Sequence, residues 1–123
     1  MPTIRYLVHD VSDAVAFYTS FLGFQVKQQF GPAMAILARG DLTLWVAGPM
    51  ASAAKPMPDG RKPVPGGWNR FVLEVEDLQG LVAMLRGKGV KFRNETLKGP
   101  GGQQILCEDP SGNVIELFQP AGD

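Results

Sequence analysis

The order of strands and helices in this chain is written twice, and this repeat limits the fold more than any other sequence feature. In the first half, Ile4 to Val11 is typical of a strand. Asp13 is predicted to cap a helix that runs to about Leu22 and stops at Gly23. Three more strands are predicted at 24–30, 33–38 and 42–47. The first half therefore has the order strand, helix, strand, strand, strand (βαβββ).

The second half repeats this order. Residues 69–75 alternate as a strand does, Asp77 repeats the helix cap, and Gly89 ends the helix. Three strands are again predicted, at 90–97, 103–108 and 114–119. We therefore predict an α+β fold with two βαβββ modules in a single domain, 1–123. Module one spans about 3–48, and module two spans about 67–120.

A long connection, about 49–66, joins the two modules. It has no hydrophobic periodicity and contains five prolines, which stiffen a chain. We expect a shaped flap, and the alternative is a solvated linker.

The composition limits the function classes. Twelve basic and twelve acidic residues cancel, so neither nucleic acid nor an anionic membrane is an expected partner. No apolar run is long enough to span a membrane and no signal-peptide layout is present, so a soluble, cytoplasmic protein is expected. The single cysteine, Cys107, excludes an internal disulfide and is interpreted as a small buried residue. The single histidine, His9, is interpreted as a packed or surface residue.

A turn signature lies near the end of the chain. The run Asp109-Pro110-Ser111-Gly112-Asn113 combines the residues that favour tight turns, and an alternating strand follows it. In that strand Glu116 shares a face with valine and phenylalanine. A carboxylate there is costly unless it has a partner, so the identity of the partner bears on the function.

These features together resemble the vicinal oxygen chelate superfamily. The resemblance rests on the repeated module, on Ala16-Phe17-Tyr18 and Leu22-Gly23-Phe24, and on the final hairpin. That superfamily includes glyoxalase I, bleomycin-resistance proteins, fosfomycin-resistance enzymes and extradiol dioxygenases. The resemblance implies two modules whose curved sheets form a cleft, and often a homodimer.

The resemblance also implies four metal-ligand positions, on the first and last strands of each module. Counting seven residues back from the predicted cap Asp13 gives Tyr6, and the matching position in module two is Arg70. The last strand of module two supplies Glu116, and its counterpart in module one falls within Thr43-Leu44-Trp45. One acid beside a permanent cation is a poor site for a divalent metal, so we predict neither a metal nor another cofactor.

We predict instead that Arg70 and Glu116 form an ion pair at that place, with Tyr6 hydrogen-bonded to it. In one interpretation the three residues are only structural. In the other, Arg70 receives an anionic or polar ligand group, Trp45, Trp68 and Tyr6 form apolar walls, and Gln103 contributes an amide.

Three functions follow. The first is a metal-free binding protein of the bleomycin-resistance type, with a small polar or aromatic ligand. The second is a lyase, isomerase or dioxygenase relative that uses Glu116 or Tyr6 as the acid or base, with or without a metal. The third is a purely structural or interaction module. The sequence does not identify the ligand.

Overall fold

The computed structural model describes residues 2–122. The chain divides into two compact units, Met1–Gly66 and Gly67–Asp123. Among the described residues, each unit contains a four-stranded mixed sheet and an α-helix in the order βαβββ. The predicted α+β class with two such modules is therefore confirmed.

The first unit contains four strands and one α-helix in its described part. Their bounds are β1 Thr3–Leu7, α1 Val11–Phe21, β2 Gln25–Phe30, β3 Met34–Arg39 and β4 Leu42–Ala47. The sheet order is β1-β4-β3-β2. Strands β1 and β4 are parallel, and the other neighbours are antiparallel.

The helix α1 is capped by Asp10, so the predicted cap at Asp13 is wrong. The Asp10 side chain accepts a hydrogen bond from the backbone N–H of Asp13 at 2.9 Å. Asp13 lies in the first helical turn, where a negative charge favours the positive end of the helix dipole. The C-terminal prediction holds, since Gly23 follows the helix with a φ of 75°.

One face of the first sheet is buried beside α1. Leu37, Leu44 and Val46 are fully buried, and the helix contributes Phe17 and Tyr18 to the same core. The rings of Phe17 and Tyr18 meet edge to face with centroids 5.1 Å apart. By strand alternation, the other face carries Arg5 and Trp45.

The second unit repeats this plan. Its elements are β5 Phe71–Glu74, α2 Leu78–Gly87, β6 Leu97–Gly99, β7 Gly102–Glu108 and β8 Val114–Pro120. The sheet order is β5-β8-β7-β6, and β5 is parallel to β8. Asp77 caps α2 as predicted, because its side chain accepts from the N–H of Gly80 at 3.0 Å.

The predicted strand at 90–97 is wrong over most of its length. Only an isolated bridge between Phe92 and Cys107 forms there, and β6 begins at Leu97. The physical reason is Asn94, whose side-chain Oδ1 accepts the N–H of Leu106 at 3.0 Å. A side chain thus satisfies a β7 donor that a continuing strand would have used.

The turn between β7 and β8 forms as its sequence predicts. The buried Asp109 accepts from the N–H groups of Ser111 and Asn113 at 2.8 and 3.0 Å. The Asn113 side chain donates to the second Asp109 oxygen at 3.0 Å, and Gly112 has a φ of 85°. These bonds fix the start of the strand that carries Glu116.

The proline-rich flap, residues 49–66, is irregular apart from a short 3₁₀ turn at Ser52–Ala54. Its outer turn is closed by a bond from the N–H of Met57 to the carbonyl of Arg61 at 2.7 Å. Neither α1 nor α2, with eleven and ten residues, has the length and hydropathy needed to cross a membrane.

Candidate functional site

The predicted ion pair between Arg70 and Glu116 is present in the second unit. Arg70 directly precedes β5, and Glu116 lies in the middle of β8. The Arg70 Nε and Nη2 atoms donate to the same carboxylate oxygen, Glu116 Oε1, at 3.1 and 3.0 Å. Within residues 2–122 no hydrogen bond reaches the other oxygen, Oε2.

Aliphatic neighbours surround the Glu116 carboxylate on its own face of the sheet. Val72 of β5 and Leu106 of β7 are its register partners on either side. Glu116 is only 9% exposed. An ion in such a setting is costly without a charged partner, and the Arg70 side chain, 31% exposed, covers it from the solvent side.

The same face continues into a cavity of about 480 Å³. Phe118, two residues after Glu116 on β8, lines it together with Gln104 and Leu97. Two residues along a strand separate side chains by roughly 7 Å. The carboxylate and the cavity are therefore close enough for one small molecule to contact both. We call this face of the second sheet, from Arg70 to Leu97, the open face.

Trp68 lies beside this pair, and its position depends on Arg93, a residue that sequence reasoning missed. Trp68 is 67% exposed, and the Arg93 guanidinium lies 4.4 Å from the centroid of its ring. Arg93 also donates to Glu108 Oε2 at 2.8 Å and to the carbonyls of Gly67 and Gly112 at 2.7 and 3.0 Å. These partners are distant in sequence, so no local pattern signals them. The Trp68 carbonyl accepts a longer bond from Arg70 Nη1, at 3.4 Å.

The true helix cap also corrects the first-module counterpart of Arg70. Arg70 lies seven residues before the cap Asp77, and seven residues before the cap Asp10 is Thr3, not Tyr6. Arg5 lies two residues after Thr3, as Val72 lies two residues after Arg70. Arg5 is in register with Trp45 and Val72 is in register with Glu116, so Trp45 is the counterpart of Glu116. The Arg5 guanidinium lies 4.9 Å from the centre of the Trp45 ring.

The donor set at these four positions does not fit a divalent metal. Threonine, tryptophan, arginine and glutamate supply a single carboxylate, and that carboxylate is already paired with a guanidinium. Within residues 2–122, no three histidine, cysteine, aspartate or glutamate side chains come together.

Two predicted site residues lie on the wrong faces. Tyr6 is in register with the fully buried Val46 and therefore lies on the core face of the first sheet, opposite to Trp45. Gln103 is in register with Gln119, whose side chain accepts the N–H of Leu78 at the start of α2. Gln103 thus lies on the helix side. The next residue, Gln104, lies on the face of Glu116. An error of one residue reverses the face in a strand.

Cys107 is fully buried, as the sequence suggested. Burial raises the pKa of its thiol from the usual 9.0 to about 12, and the Asp109 carboxylate adds to the rise. A protonated, inaccessible thiol is a poor nucleophile, so Cys107 is a core residue.

Comparisons with known proteins agree with the fold. A family model described as the Glyoxalase/Bleomycin resistance protein/Dioxygenase superfamily matches residues 1–117. Comparison with curated protein sequences finds no match.

Three solved structures are similar to the chain. TnmS3, an antibiotic-binding protein from Streptomyces sp. CB03234, is 26% identical with a TM-score of 0.71, over 97% of this chain and 93% of that one. FosX, a fosfomycin resistance protein from Listeria monocytogenes, is 13% identical with a TM-score of 0.75, over 98% and 93%. Lactoylglutathione lyase from Agrobacterium tumefaciens is 16% identical with a TM-score of 0.73, over 97% and 92%. At these identities the last two likenesses concern the fold alone.

Proposed function

The chain belongs to the glyoxalase/bleomycin resistance protein/dioxygenase superfamily, and within it we propose a metal-free binding protein for a small amphipathic or aromatic molecule. One observation carries the proposal. The position opposite Glu116 holds a guanidinium, at 3.0 Å, and this group supplies the positive charge in place of a metal ion. The proposal takes residues 1–123 as one domain.

The open face has the chemistry that such a ligand needs. Glu116 Oε2 is an acceptor without a donor among the described residues, and Arg70 Nη1 makes only the 3.4 Å bond to Trp68. A ligand with neighbouring donor and acceptor atoms, such as an amide or a phenol, matches these two groups. Its apolar part then lies over Leu106 and Phe118. The 26% identity to an antibiotic-binding protein supports an antibiotic-like ligand.

The two tryptophans make a direct binding test feasible. In a Trp45→Phe variant, Trp68 is the only tryptophan of the sequence, and its carbonyl accepts a bond from Arg70. We expect quenching by at least one compound in a panel of aromatic antibiotics. Arg70→Met should weaken that binding at least tenfold, while Arg86→Met, on α2 of the same unit, should leave it unchanged. Equal affinity in both variants would contradict the role of Arg70.

A metal titration tests whether the proposed site is free of metal. We expect no stoichiometric binding of Zn²⁺, Ni²⁺, Fe²⁺ or Mn²⁺ to the purified protein, because Arg70 repels a cation beside Glu116. Tight binding of one ion per chain that is lost in Glu116→Gln would refute the metal-free site.

The free Glu116 oxygen favours a second candidate, a proton-transfer enzyme that uses no metal. Mass spectrometry of every bound compound after long incubation separates the two functions. Conversion that Glu116→Gln abolishes without loss of binding would establish the enzyme. Tyr6 is not part of this candidate, because it lies on the core face.

A homodimer and a cytoplasmic location stay predictions from the family resemblance and the composition. Analytical ultracentrifugation tests the first, and expression of a fluorescent fusion in the native host tests the second.

A further inference from the structure

A second cavity, in the first unit, lies between the flap and the ends of two strands. It has a volume of about 350 Å³, room for roughly a dozen water-sized groups. Leu7 and Ala47, the paired last residues of the parallel strands β1 and β4, form its floor. The returning part of the flap, residues 62–65, forms the opposite wall. We call this cavity the flap pocket.

The wall of the flap pocket is made largely of proline. Pro49, Pro56, Pro63 and Pro65 line it. Proline has no N–H and a fixed φ, so the wall offers an apolar surface with few donors to desolvate and little freedom to collapse. Such a surface suits a flat or chain-like hydrocarbon group.

The base of the flap is held in place by close packing. The N–H of Gly48 donates to the carbonyl of Ala33 at 2.8 Å. A Cβ atom on Gly48 would lie 2.9 Å from a Val11 methyl carbon and 3.3 Å from the Pro32 carbonyl oxygen. The chain therefore leaves β4 along one tightly packed path at Gly48.

The charged side chain in the lining of the flap pocket is basic. Lys62 and His9 line the pocket, and none of its lining residues is acidic. The neighbouring Asp10 is engaged in capping α1, and Asp59 in the flap is paired with Arg61 at 2.8 Å. An anionic group is thus the polar group that the pocket can hold.

We propose that the flap pocket binds a small apolar carboxylate, with its hydrocarbon part on the proline wall and its carboxylate at Lys62. This site is separate from the open face of the second unit and is independent of the proposed function.

The probe for the test is 2-naphthoate, with 2-naphthamide as the uncharged control. Titration into ¹⁵N-labelled protein should shift the backbone amide signals of His9, Gly48, Lys62 and Val64 in a saturable way. Because a charge-assisted hydrogen bond is lost, 2-naphthamide should bind at least tenfold more weakly. Equal shifts by both compounds would overturn the assignment of an anion site.

Matched lysine variants locate the anion. Lys62→Met should weaken 2-naphthoate at least tenfold, whereas Lys55→Met, in the same flap but outside the lining, should leave the affinity unchanged. Both side chains are exposed, so both variants should fold. Unchanged affinity in Lys62→Met would refute the proposal.

Arg70→Met separates this site from the proposed function. It should not alter the 2-naphthoate titration if the flap pocket is the site. Shifts confined to the neighbourhood of Arg70 and Glu116 would refute the flap pocket and leave the open-face proposal standing. Failure of the antibiotic panel has no bearing on the flap pocket.

Discussion

Arg70 gives two hydrogen bonds to one oxygen of Glu116 and leaves the second oxygen without a donor among residues 2–122. This arrangement differs from a symmetric fork, in which each carboxylate oxygen receives its own N–H. It neutralises the carboxylate between Val72 and Leu106 while keeping one acceptor for another molecule. The pair is thus suited both to stability and to recognition.

The pair should show strong coupling in a double-mutant cycle. Arg70→Met leaves Glu116 nearly buried and unpaired, so the free energy of unfolding should fall by about 2–3 kcal/mol. Arg70→Met combined with Glu116→Leu should recover at least half of that loss, because no ion then remains in the apolar setting. Urea unfolding at pH 7 gives the free energy of unfolding of the wild type, of each single variant and of the double variant. Simple addition of the two single effects would show that the ions do not interact.

The family resemblance pointed to Arg70 and Glu116, and strand alternation supported their pairing because it depends only on local parity. Glu116 in β8 and Arg70 before β5 could be assigned to one face once the two strands were identified. Tyr6 was misplaced because it was counted from Asp13, whereas the helix cap is Asp10. Gln103 was chosen over its neighbour Gln104 without assigning a face, and register places Gln104 on the face of Glu116. The role of Arg93 could not be predicted from local sequence, since its acceptors Gly67 and Gly112 lie 26 and 19 residues away along the chain.

The helix cap can be tested by exchanging the two candidates. Asp10→Ala should lower the free energy of unfolding by about 1 kcal/mol, because the Asp13 N–H loses its acceptor. Asp13→Ala removes only a favourable charge in the first turn and should cost about 0.5 kcal/mol or less at low salt. Thermal unfolding followed by circular dichroism compares the two. A larger loss from Asp13→Ala would contradict the assigned cap and the resulting correspondence of Thr3 with Arg70.

Arg93 should be more important to the second unit than its position in an irregular segment suggests. Lysine cannot reach Glu108 and two backbone carbonyls at once, so Arg93→Lys should lower the free energy of unfolding by about 2 kcal/mol. It should also change the Trp68 emission, because the guanidinium leaves the ring. Chemical unfolding and fluorescence of the Trp45→Phe protein measure both effects.

The control for Arg93 is Arg86→Lys. Arg86 pairs at 3.2 Å with a Glu95 side chain that is 87% exposed, and such surface pairs contribute about 0.5 kcal/mol or less. Equal losses in the two variants would show that the Arg93 bonds add nothing specific.

Cys107 should make the protein less stable at alkaline pH. The folded thiol has its pKa raised to about 12, whereas the unfolded thiol titrates near 9.0. Above pH 9 the unfolded state therefore releases a proton that the folded state retains, and stability falls by about 1.4 kcal/mol per pH unit until the folded thiol also ionises near pH 12. Below pH 9 the thiol is protonated in both states and has no effect on the slope.

Cys107→Ala isolates this contribution from other groups that titrate at high pH. The variant should lose about 1–2 kcal/mol at pH 8, because a small cavity opens among fully buried neighbours. Between pH 9 and pH 10.5 its free energy of unfolding should fall less steeply than that of the wild type. The difference between the two slopes should be about 1 kcal/mol per pH unit. Urea unfolding at pH 8, 9, 10 and 10.5 gives the two slopes. Parallel slopes would mean that the folded thiol ionises near its usual pKa and that Cys107 is accessible to water after all.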